Sequence, residues 1–514
     1  MADTPSTAAM PFCEVATRAG WVQGLHHSGV HHFRGIPYGA PTGGEHRFRP
    51  PRPVAPWSGV RECFGHGMVS PQVPTPLTHR YGRLIHLDLV TAEGGMGEDC
   101  LNLNVWTPAL KDGGRRPVLF CIHGGGFAIG SGNSPLYDGA ELARHGNVVV
   151  ISANHRLGCL GFLNLRDLGA PEEFAAAGSL GIRDLVLALE WVRDNAEAFG
   201  GDSSRVMVFG QSGGGWKTSV LLATPAARGL IHRAAVQSGS QLRLQTREES
   251  AQFSNALLRE LGLTPGTVTR LLDMPWQSIL SAQATVGALN FAPVLDGDLL
   301  PRHPCDPGAP SESADVPLII STTLDDASLF FDHFDLDEAG LRQWLESRYP
   351  ERAQAILKLY RGLWPDTKPF LVFARIVTDS GFRRFAHLHA ERKARLQRAP
   401  VYCYRFDWAT PAVGGLYGAA HATDVAASLG NQRDGIIGAG SAPGDGLCDA
   451  LSAAWLAFAQ QGNPNTPLFP DWPAFELSRR ATLIIDTHSR IESDPYAPLR
   501  VFWESMPPAT GVIG

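Results

Sequence analysis

The stretch from residue 199 to residue 214 most constrains what this chain can fold into. Its residues 205–209 have the β-branched and aromatic character of a buried strand, which runs directly into Gly210-Gln211-Ser212-Gly213-Gly214. The G-x-S-x-G spacing allows a sharp strand-to-helix turn, because glycine lacks the side chain that would clash there. Such a turn would expose the Ser212 hydroxyl as a nucleophile. A purely structural turn is the alternative, since so short a pattern also occurs by chance.

Charge and hydropathy exclude several classes of protein. The 514 residues contain 44 Lys and Arg against 50 Asp and Glu, a formal net charge of −6 without a long block of like charge. This balance argues against nucleic acid or an anionic membrane as a partner. Residues 1–12 lack a secretory-signal pattern, and no run reaches the roughly eighteen apolar residues of a membrane span. We expect a cytoplasmic monomer or small homo-oligomer with a flexible segment at residues 1–12.

Neither cysteines nor histidines form a clear metal motif. The eight cysteines include no C-x-x-C pair and no zinc spacing, which predicts mostly free thiols. His26, His27, His31 and His32 flank a Ser28-Gly29 turn and could bind a metal. No acidic or thiol ligand lies nearby in sequence, so a solvated hairpin is the favoured interpretation. We expect no metal and no organic cofactor.

The apolar pattern predicts an α/β fold. Short runs within residues 15–60 indicate a small N-terminal antiparallel sheet, and continuous apolar runs at 118–122 and 148–153 indicate strands covered on both faces. A helical repeat at 183–198 precedes the serine strand, and strand-helix-strand order is typical of a parallel sheet. Further strands are predicted at 234–237, 317–321, 400–406 and 482–485.

Two helical regions interrupt this alternation, at about 242–290 and 336–398. Helices inserted beside an α/β sheet commonly cover and shape an active site, so we expect one large domain over residues 13–514. The second region carries a basic series, which we interpret as a solvated helix face rather than a binding patch. Its members are Arg383, Arg384, Arg392, Lys393, Arg395 and Arg398.

A serine nucleophile needs a base, an orienting acid and donors for an oxyanion. The glycines of His123-Gly124-Gly125-Gly126-Phe127 follow a predicted central strand, where their N–H groups could reach a substrate oxygen, together with that of Gly213. The alternative is simple loop flexibility. Asp325 and Asp326 follow the strand at 317–321, and His421 follows the strand at 400–406. Serine, acid and histidine thus occur in the order of the α/β-hydrolase triad.

Several longer motifs resemble the type B carboxylesterase family, which includes the cholinesterases. The similarity covers nearly the whole chain and implies an α/β-hydrolase fold with a mostly parallel central sheet. Its motifs are Phe33-x-Gly35-Ile36-Pro37-Tyr38, Arg47-Phe48-Arg49-Pro50-Pro51, Glu98-Asp99-Cys100-Leu101-Asn102-Leu103-Asn104-Val105, the stretch 199–214, Gln237-Ser238-Gly239-Ser240, Tyr404-Arg405-Phe406-Asp407-Trp408 and Trp455-x-x-Phe458-Ala459-x-x-Gly462-Asn463-Pro464-Asn465.

The resemblance implies a role for each candidate residue. Ser212 would be the nucleophile, His421 the base and Asp326 the acid, while Gly125, Gly126 and Gly213 would form the oxyanion hole. The family's acid motif corresponds to residues 321–327, with Asp325 as the minority candidate. The histidine motif at 420–424 is close to the bacterial form.

The implied reaction is hydrolysis of small carboxylic esters through an acyl-serine. Because the base must be a neutral imidazole, we expect activity to rise through roughly pH 6 to 7. The same triad could instead cleave an amide, a carbamate or a lactone. A non-catalytic binding protein of this fold is the alternative from another class. Gln211, Trp216 and Ser238 are expected to line or support the pocket, although Trp216 could equally be a packing residue.

Two positions depart from the family pattern. Gln211 stands where glutamate is common, which removes a negative charge beside the triad and alters the surroundings of His421. Cys100 aligns with one half of a disulfide found in secreted relatives, whereas the partner position is Ser70. We expect that bridge to be missing, with a bridge between Cys63 and Cys100 left open.

Overall fold

The protein is described by a computed structural model over residues 11–73, 94–438 and 440–507. Most of the N-terminal segment expected to be flexible, residues 1–10, lies outside the described residues. The strands are β1 Phe12–Ala16, β2 Trp21–His27, β3 Val30–Pro37, β4 Val60–Glu62, β5 Asn102–Thr107, β6 Arg116–Ile122, β7 Val149–Ala153, β8 Gly201–Gln211, β9 Arg233–Gln237, β10 Leu318–Thr323, β11 Val401–Phe406, β12 Ala481–Ile485 and β13 Arg490–Ser493.

The strands form one mixed sheet in the order β1-β2-β3-β5-β7-β6-β8-β9-β10-β11-β12-β13, with β4 pairing to β2. The central strands from β7 to β12 are parallel to one another. The N-terminal strands β1, β2, β3 and β5 pair antiparallel, as does β13 with β12. The predicted α/β class, the N-terminal antiparallel strands and the mostly parallel centre are confirmed.

The α-helices connect the strands and cover the sheet. They are α1 Ala140–Gly146, α2 Gly158–Phe162, α3 Leu180–Asn195, α4 Gly213–Leu222, α5 Arg247–Glu260, α6 Trp276–Val286, α7 Glu338–Arg348, α8 Ala353–Leu363, α9 Pro369–Thr378, α10 Arg384–Ala394, α11 Thr423–Ser428, α12 Ala442–Gln461 and α13 Ala497–Glu504. A π-helical turn, Asp379–Arg383, joins α9 to α10. Helices α5 and α6 occupy the first predicted helical region, and α7 to α10 the second.

Both faces of the sheet are covered, because alternate residues of β6 enter two separate apolar cores. Val118, Phe120 and Ile122 belong to one core, whereas Leu119 and Cys121 belong to the other. A strand buried on both sides has no polar face, which explains its unbroken apolar sequence. The strands β6, β8, β9, β10 and β11 are parallel, so their carboxyl ends lie at the same edge of the sheet. The loops that carry the candidate residues begin at this edge.

The basic series of the second helical region is not wholly a solvated face, so that prediction is wrong for two members. The Arg383 side chain is buried and pairs with Asp379. Lys393 is buried as well, and its Nζ donates hydrogen bonds to the carbonyls of Ser313 and Ala314. Their partners are local turns and loops that the helical pattern does not reveal.

The histidine-rich turn is a hairpin, as favoured, in which the rings of His26 and His31 stack at 4.4 Å between centroids. Within the three described stretches, no group of three or more metal-ligating side chains occurs, and no helix is long and apolar enough to cross a membrane. All eight cysteines are free, including Cys63 and Cys100. Ser70, at the position where the resemblance placed the missing partner, is buried, and its Oγ accepts a hydrogen bond from the Leu157 N–H at 3.1 Å.

Candidate active site

Ser212 occupies a strained turn between β8 and α4. Its backbone angles are φ 57° and ψ −124°, a conformation that a residue with a side chain rarely adopts. Glycines make the turn sterically feasible. A Cβ at Gly210 would lie 2.5 Å from the carbonyl carbon of Gly214, and one at Gly214 would lie 2.0 Å from the Ile122 oxygen. The Ser212 N–H donates to Gln237 O at 2.9 Å, which fixes the turn against β9.

Asp326 and His421 are joined by a short hydrogen bond. Nδ1 of His421 lies 2.7 Å from Oδ1 of Asp326, and both side chains are buried. The other carboxylate oxygen of Asp326 accepts from the Thr323 N–H and from the Ser238 hydroxyl, each at 2.9 Å. Asp326 is thereby held by the last residue of β10, Thr323, and by the residue that follows β9, Ser238. Ser238, expected to line or support the pocket, contacts the carboxylate directly.

The bond to Asp326 determines the tautomer of His421. A carboxylate accepts hydrogen bonds, so the proton resides on Nδ1 and Nε2 keeps its lone pair. Nε2 is buried and has no hydrogen-bond partner among the described residues. The rings of Phe330 and Phe382 each lie 5.1 Å from the imidazole between centroids. Packing thus holds the ring in place while its Nε2 remains available to accept a proton.

Asp325 makes different contacts and does not reach His421. Its Oδ1 lies 2.7 Å from Nε of Arg375, and its Oδ2 accepts the Ala419 N–H at 2.9 Å. Burial raises the pKa of Asp325, and the Arg375 guanidinium opposes that rise. Arg383 donates from Nη2 to the carbonyls of residues 323 and 324 at 3.0 Å each. The bond from Ala419 holds the loop of the acid to the loop of the histidine, and the bonds from Arg383 hold it to the π-helical turn.

The three candidate glycines bring unused backbone N–H groups together. Gly125 and Gly126 have φ of 87° and 63°, and Gly213 begins α4. A Cβ at Gly213 would lie 2.2 Å from the Gly126 nitrogen, so the loop and the helix touch through their backbones. None of these three N–H groups donates to another residue in the described part of the chain. Such a cluster at a helix N-terminus is suited to stabilising negative charge on an oxygen.

Trp216 and Gln211 flank this cluster. A Cβ built on Gly126 would lie 3.3 Å from Cζ3 of Trp216. The Trp216 ring also packs against Phe127, at 5.7 Å between centroids. Leu289 is 75% exposed, and its Cδ2 would lie 3.9 Å from a Cβ built on Gly126. Gln211 is buried, and neither its Nε2 nor Nε1 of Trp216 has a partner in the described residues. Apolar surface and two free donors therefore border the glycine loop.

Sequence reasoning missed the supports of the glycine loop. The Tyr137 hydroxyl accepts the Gly124 N–H at 2.7 Å, and Nζ of Lys217 donates to His123 O at 3.1 Å. No sequence pattern connects Tyr137 with the loop. Lys217 lies five residues after Ser212, but a lysine on a helix ordinarily indicates a solvated face.

Asp424 is a second buried carboxyl group close to the histidine. Its Oδ2 accepts from the Tyr404 hydroxyl at 2.7 Å and lies 3.3 Å from the Ser321 hydroxyl. Burial raises the pKa of Asp424 to about 6. Its place in the histidine motif, three residues after His421, was a signal that sequence analysis did not use.

The chain is similar over most of its length to known esterases. A family model described as the carboxylesterase family matches residues 12–503. The para-nitrobenzyl esterase of Bacillus subtilis (strain 168) is 35% identical over 505 residues, covering 95% of this chain and 97% of that protein. The phenmedipham hydrolase of Pseudarthrobacter oxydans is 35% identical over 498 residues, covering 91% of this chain and 94% of that protein.

Solved structures give the same result. A carboxylesterase from Geobacillus stearothermophilus matches with a TM-score of 0.82 at 35% identity, covering 95% of this chain and 99% of that chain. A para-nitrobenzyl esterase structure matches with a TM-score of 0.78 at 34% identity, with coverages of 95% and 99%.

Proposed function

Since this chain belongs to the carboxylesterase family, with its α/β-hydrolase fold and carboxylic ester hydrolase activity, we propose that Ser212, His421 and Asp326 form its catalytic triad. The observation that carries this proposal is the 2.7 Å contact between Nδ1 of His421 and Oδ1 of Asp326. It leaves Nε2 as a proton acceptor in a buried site. The strained turn supplies the serine, and no other carboxylate of the described residues forms a hydrogen bond with this imidazole.

The reaction begins with attack of Ser212 Oγ on the ester carbonyl carbon. His421 Nε2 takes the hydroxyl proton as the new carbon–oxygen bond forms, and the carbonyl π electrons move to the oxygen. The tetrahedral intermediate then collapses and breaks the bond to the alcohol oxygen, which receives the proton from Nε2. Water attacks the acyl-serine with the same base and releases the acid. Asp326 stabilises the imidazolium in both steps without taking its proton.

The N–H groups of Gly125, Gly126 and Gly213 would bind the negatively charged oxygen. Fixed donors of this kind need no reorganisation when charge develops, which is why they accelerate acyl transfer. Gly213 adds the positive end of the helix α4 dipole. Their unused donors and their close approach support this assignment.

The proposed substrate is a small neutral ester. One relative is a para-nitrobenzyl esterase, and Gln211 adds no charge beside the site that would attract a cation. We also propose a cytoplasmic location, which the eight free thiols support because a reducing compartment keeps cysteines unpaired. A monomer or small homo-oligomer completes the proposal, to be checked by light scattering of the purified protein.

The test measures hydrolysis of p-nitrophenyl esters of increasing acyl length by wild type, Ser212→Ala and His421→Ala. Ser281→Ala, which changes an exposed serine on α6, is the matched control. We expect both active-site variants to lose about 10³-fold or more in kcat, and the control to retain wild-type kinetics. Full activity of Ser212→Ala would overturn the assignment.

A further inference from the structure

Lys217 is a fully buried lysine on the helix that begins beside Ser212. It lies on α4, about one turn after Gly213, and its side chain is 0% exposed. Nζ donates to His123 O at 3.1 Å and contacts no carboxylate in the described residues. Lysine is almost never fully buried without a charged partner, because desolvation of the ammonium is costly. Burial of a lysine despite this desolvation cost indicates that its side chain has a specific role.

His123 and His155 lie close to Lys217. Burial lowers the pKa of Lys217 well below its ordinary value. Burial also lowers the pKa values of His123 and His155, and the nearby Lys217 charge adds to this effect. The two imidazoles stack at 4.9 Å between centroids, and Nε2 of each lacks a partner in the described residues. No carboxylate of the described residues pairs with the lysine, so its direct contact with His123 O is the feature to explain.

That contact connects the two halves of the glycine cluster. Gly213 belongs to the helix that carries Lys217, whereas Gly125 and Gly126 belong to the loop that begins at His123. A rise of about 1.5 Å per residue places Lys217 roughly 6 Å along α4 from Gly213. The lysine therefore reaches from the helix to the start of the loop, behind the position where the N–H groups meet.

The other supports of the loop come from elsewhere. The Tyr137 hydroxyl accepts the Gly124 N–H, and Nδ1 of His123 lies 2.8 Å from the Gly124 carbonyl. Neither contact involves α4. Among the hydrogen bonds of the described residues, that of Lys217 is the one by which an α4 side chain holds this loop.

We propose that Lys217 is a positioning residue that fixes the N–H groups of Gly125 and Gly126 relative to that of Gly213. This inference rests on the proposed triad and oxyanion hole. In this role the lysine helps to stabilise the oxyanion by holding the backbone of the glycine loop, and it does not contact the substrate. Loss of the contact would let the loop shift relative to the helix, and a displacement of about 1 Å weakens such preorganised donors substantially.

The test compares Lys217→Met with Lys393→Met. Methionine retains much of the apolar stem but cannot donate a hydrogen bond. Lys393 is a matched control, since it is also buried and donates to loop carbonyls, at Ser313 and Ala314. Each variant is assayed on an ester and on its thiono analogue, in which sulfur replaces the carbonyl oxygen. Sulfur is the weaker hydrogen-bond acceptor, so the thiono ester gains less from the N–H groups.

We expect Lys217→Met to lower kcat on the oxygen ester by about 10- to 100-fold, with KM changed less than about threefold. Its loss on the thiono ester should be at least fivefold smaller, which a general loss of folding would not produce. Lys393→Met should change both substrates equally. If Lys217→Met does not fold, Lys217→Gln serves instead, because its shorter side chain does not span to His123 O.

An equal loss on both substrates, or wild-type kinetics, would overturn the inference. The Ser212→Ala variant distinguishes these outcomes from a failure of the proposed function. An active Ser212→Ala protein contradicts the triad itself. An inactive Ser212→Ala protein combined with an unselective Lys217→Met protein contradicts only the role of the lysine.

Discussion

Asp325 and Asp326 are consecutive in the chain, yet their buried carboxylates bind different partners. Asp326 accepts from Nδ1 of His421 at 2.7 Å, whereas Asp325 pairs with Arg375 and accepts the Ala419 N–H. One carboxylate orients the imidazole, and the other ties the loop of the acid to the loop of the histidine. Removal of the Asp326 charge should therefore affect mainly the rate, whereas removal of the Asp325 charge should affect mainly the stability.

Asp326→Asn should lower kcat by about 10³- to 10⁴-fold, because an amide can no longer hold the Nδ1–H tautomer or stabilise the imidazolium. The measurement is steady-state hydrolysis of a short-chain p-nitrophenyl ester. KM should change little, since Asp326 is fully buried and acts on the reaction through His421.

Asp325→Asn is the matched control. It leaves the buried Arg375 without its carboxylate, which should lower the free energy of unfolding by about 3–5 kcal/mol. Its kcat below the unfolding temperature should fall by less than that of Asp326→Asn. Urea unfolding and the ester assay on both proteins provide the check, and the reverse pattern would assign the acid to Asp325.

The sequence predicts the framework well because covered strands leave a clear apolar pattern. The run at 118–122 is unbroken since both faces of β6 are buried, and the structure extends it only to Arg116–Ile122. The site candidates also come together at one edge of the sheet. Parallel strands dictate this convergence, since loops after their carboxyl ends lie side by side.

What the sequence could not predict depends on contacts between distant segments. Arg383 lies in a basic series that suggests a solvated face, but a π-helical turn places it against Asp379 and the carbonyls of the acid loop. Lys217 and Tyr137 likewise acquire their importance only when the glycine loop meets them. No local periodicity encodes such long-range polar contacts.

Gln211→Glu should shift the acid limb of the pH–rate profile upward by about one pH unit. A carboxylate beside the triad favours the imidazolium form of His421 over its neutral form. The neutral base is then available only at higher pH. We would measure kcat/KM from pH 5 to 9, with Gln354→Glu on the exposed surface of α8 as control. An unchanged limb would contradict electrostatic contact between residue 211 and the base.

Gly214→Ala should abolish most of the activity, by about 10²-fold or more. Its Cβ would lie 2.0 Å from the Ile122 oxygen, so either the end of β6 or the turn of Ser212 must move. Gly446→Ala is the control, because it lies within α12 with no atom near its Cβ position. That change should raise the free energy of unfolding by about 0.5–1 kcal/mol without affecting kcat. A wild-type rate for Gly214→Ala would exclude the tight turn.

Asp424→Asn should show that the buried carboxyl group of Asp424 makes the free energy of unfolding depend on pH. The pKa of Asp424 is raised from 3.8 to about 6 by burial, which outweighs the hydrogen bond from Tyr404. The folded state therefore holds a proton that the unfolded chain releases, and wild-type stability falls from about pH 4 to pH 6.

The unfolding free energy of Asp424→Asn, relative to wild type, should thus rise by about 3 kcal/mol between pH 4 and pH 7. Denaturant titrations at several pH values measure this difference. The acidic and basic neighbours Asp326 and His421 are unchanged in the variant. A difference that is constant with pH would mean that Asp424 titrates near its ordinary value.

The most direct measurement of the central claim is the site of covalent labelling by a fluorophosphonate. The phosphorus should form a bond to Ser212 Oγ with loss of fluoride, and peptide mass mapping should find the adduct on the peptide containing residue 212. We predict stoichiometric labelling of the wild type, none of Ser212→Ala, and much slower labelling of Asp326→Asn. A wild-type protein that remains unlabelled, or an adduct on another residue, would contradict the account.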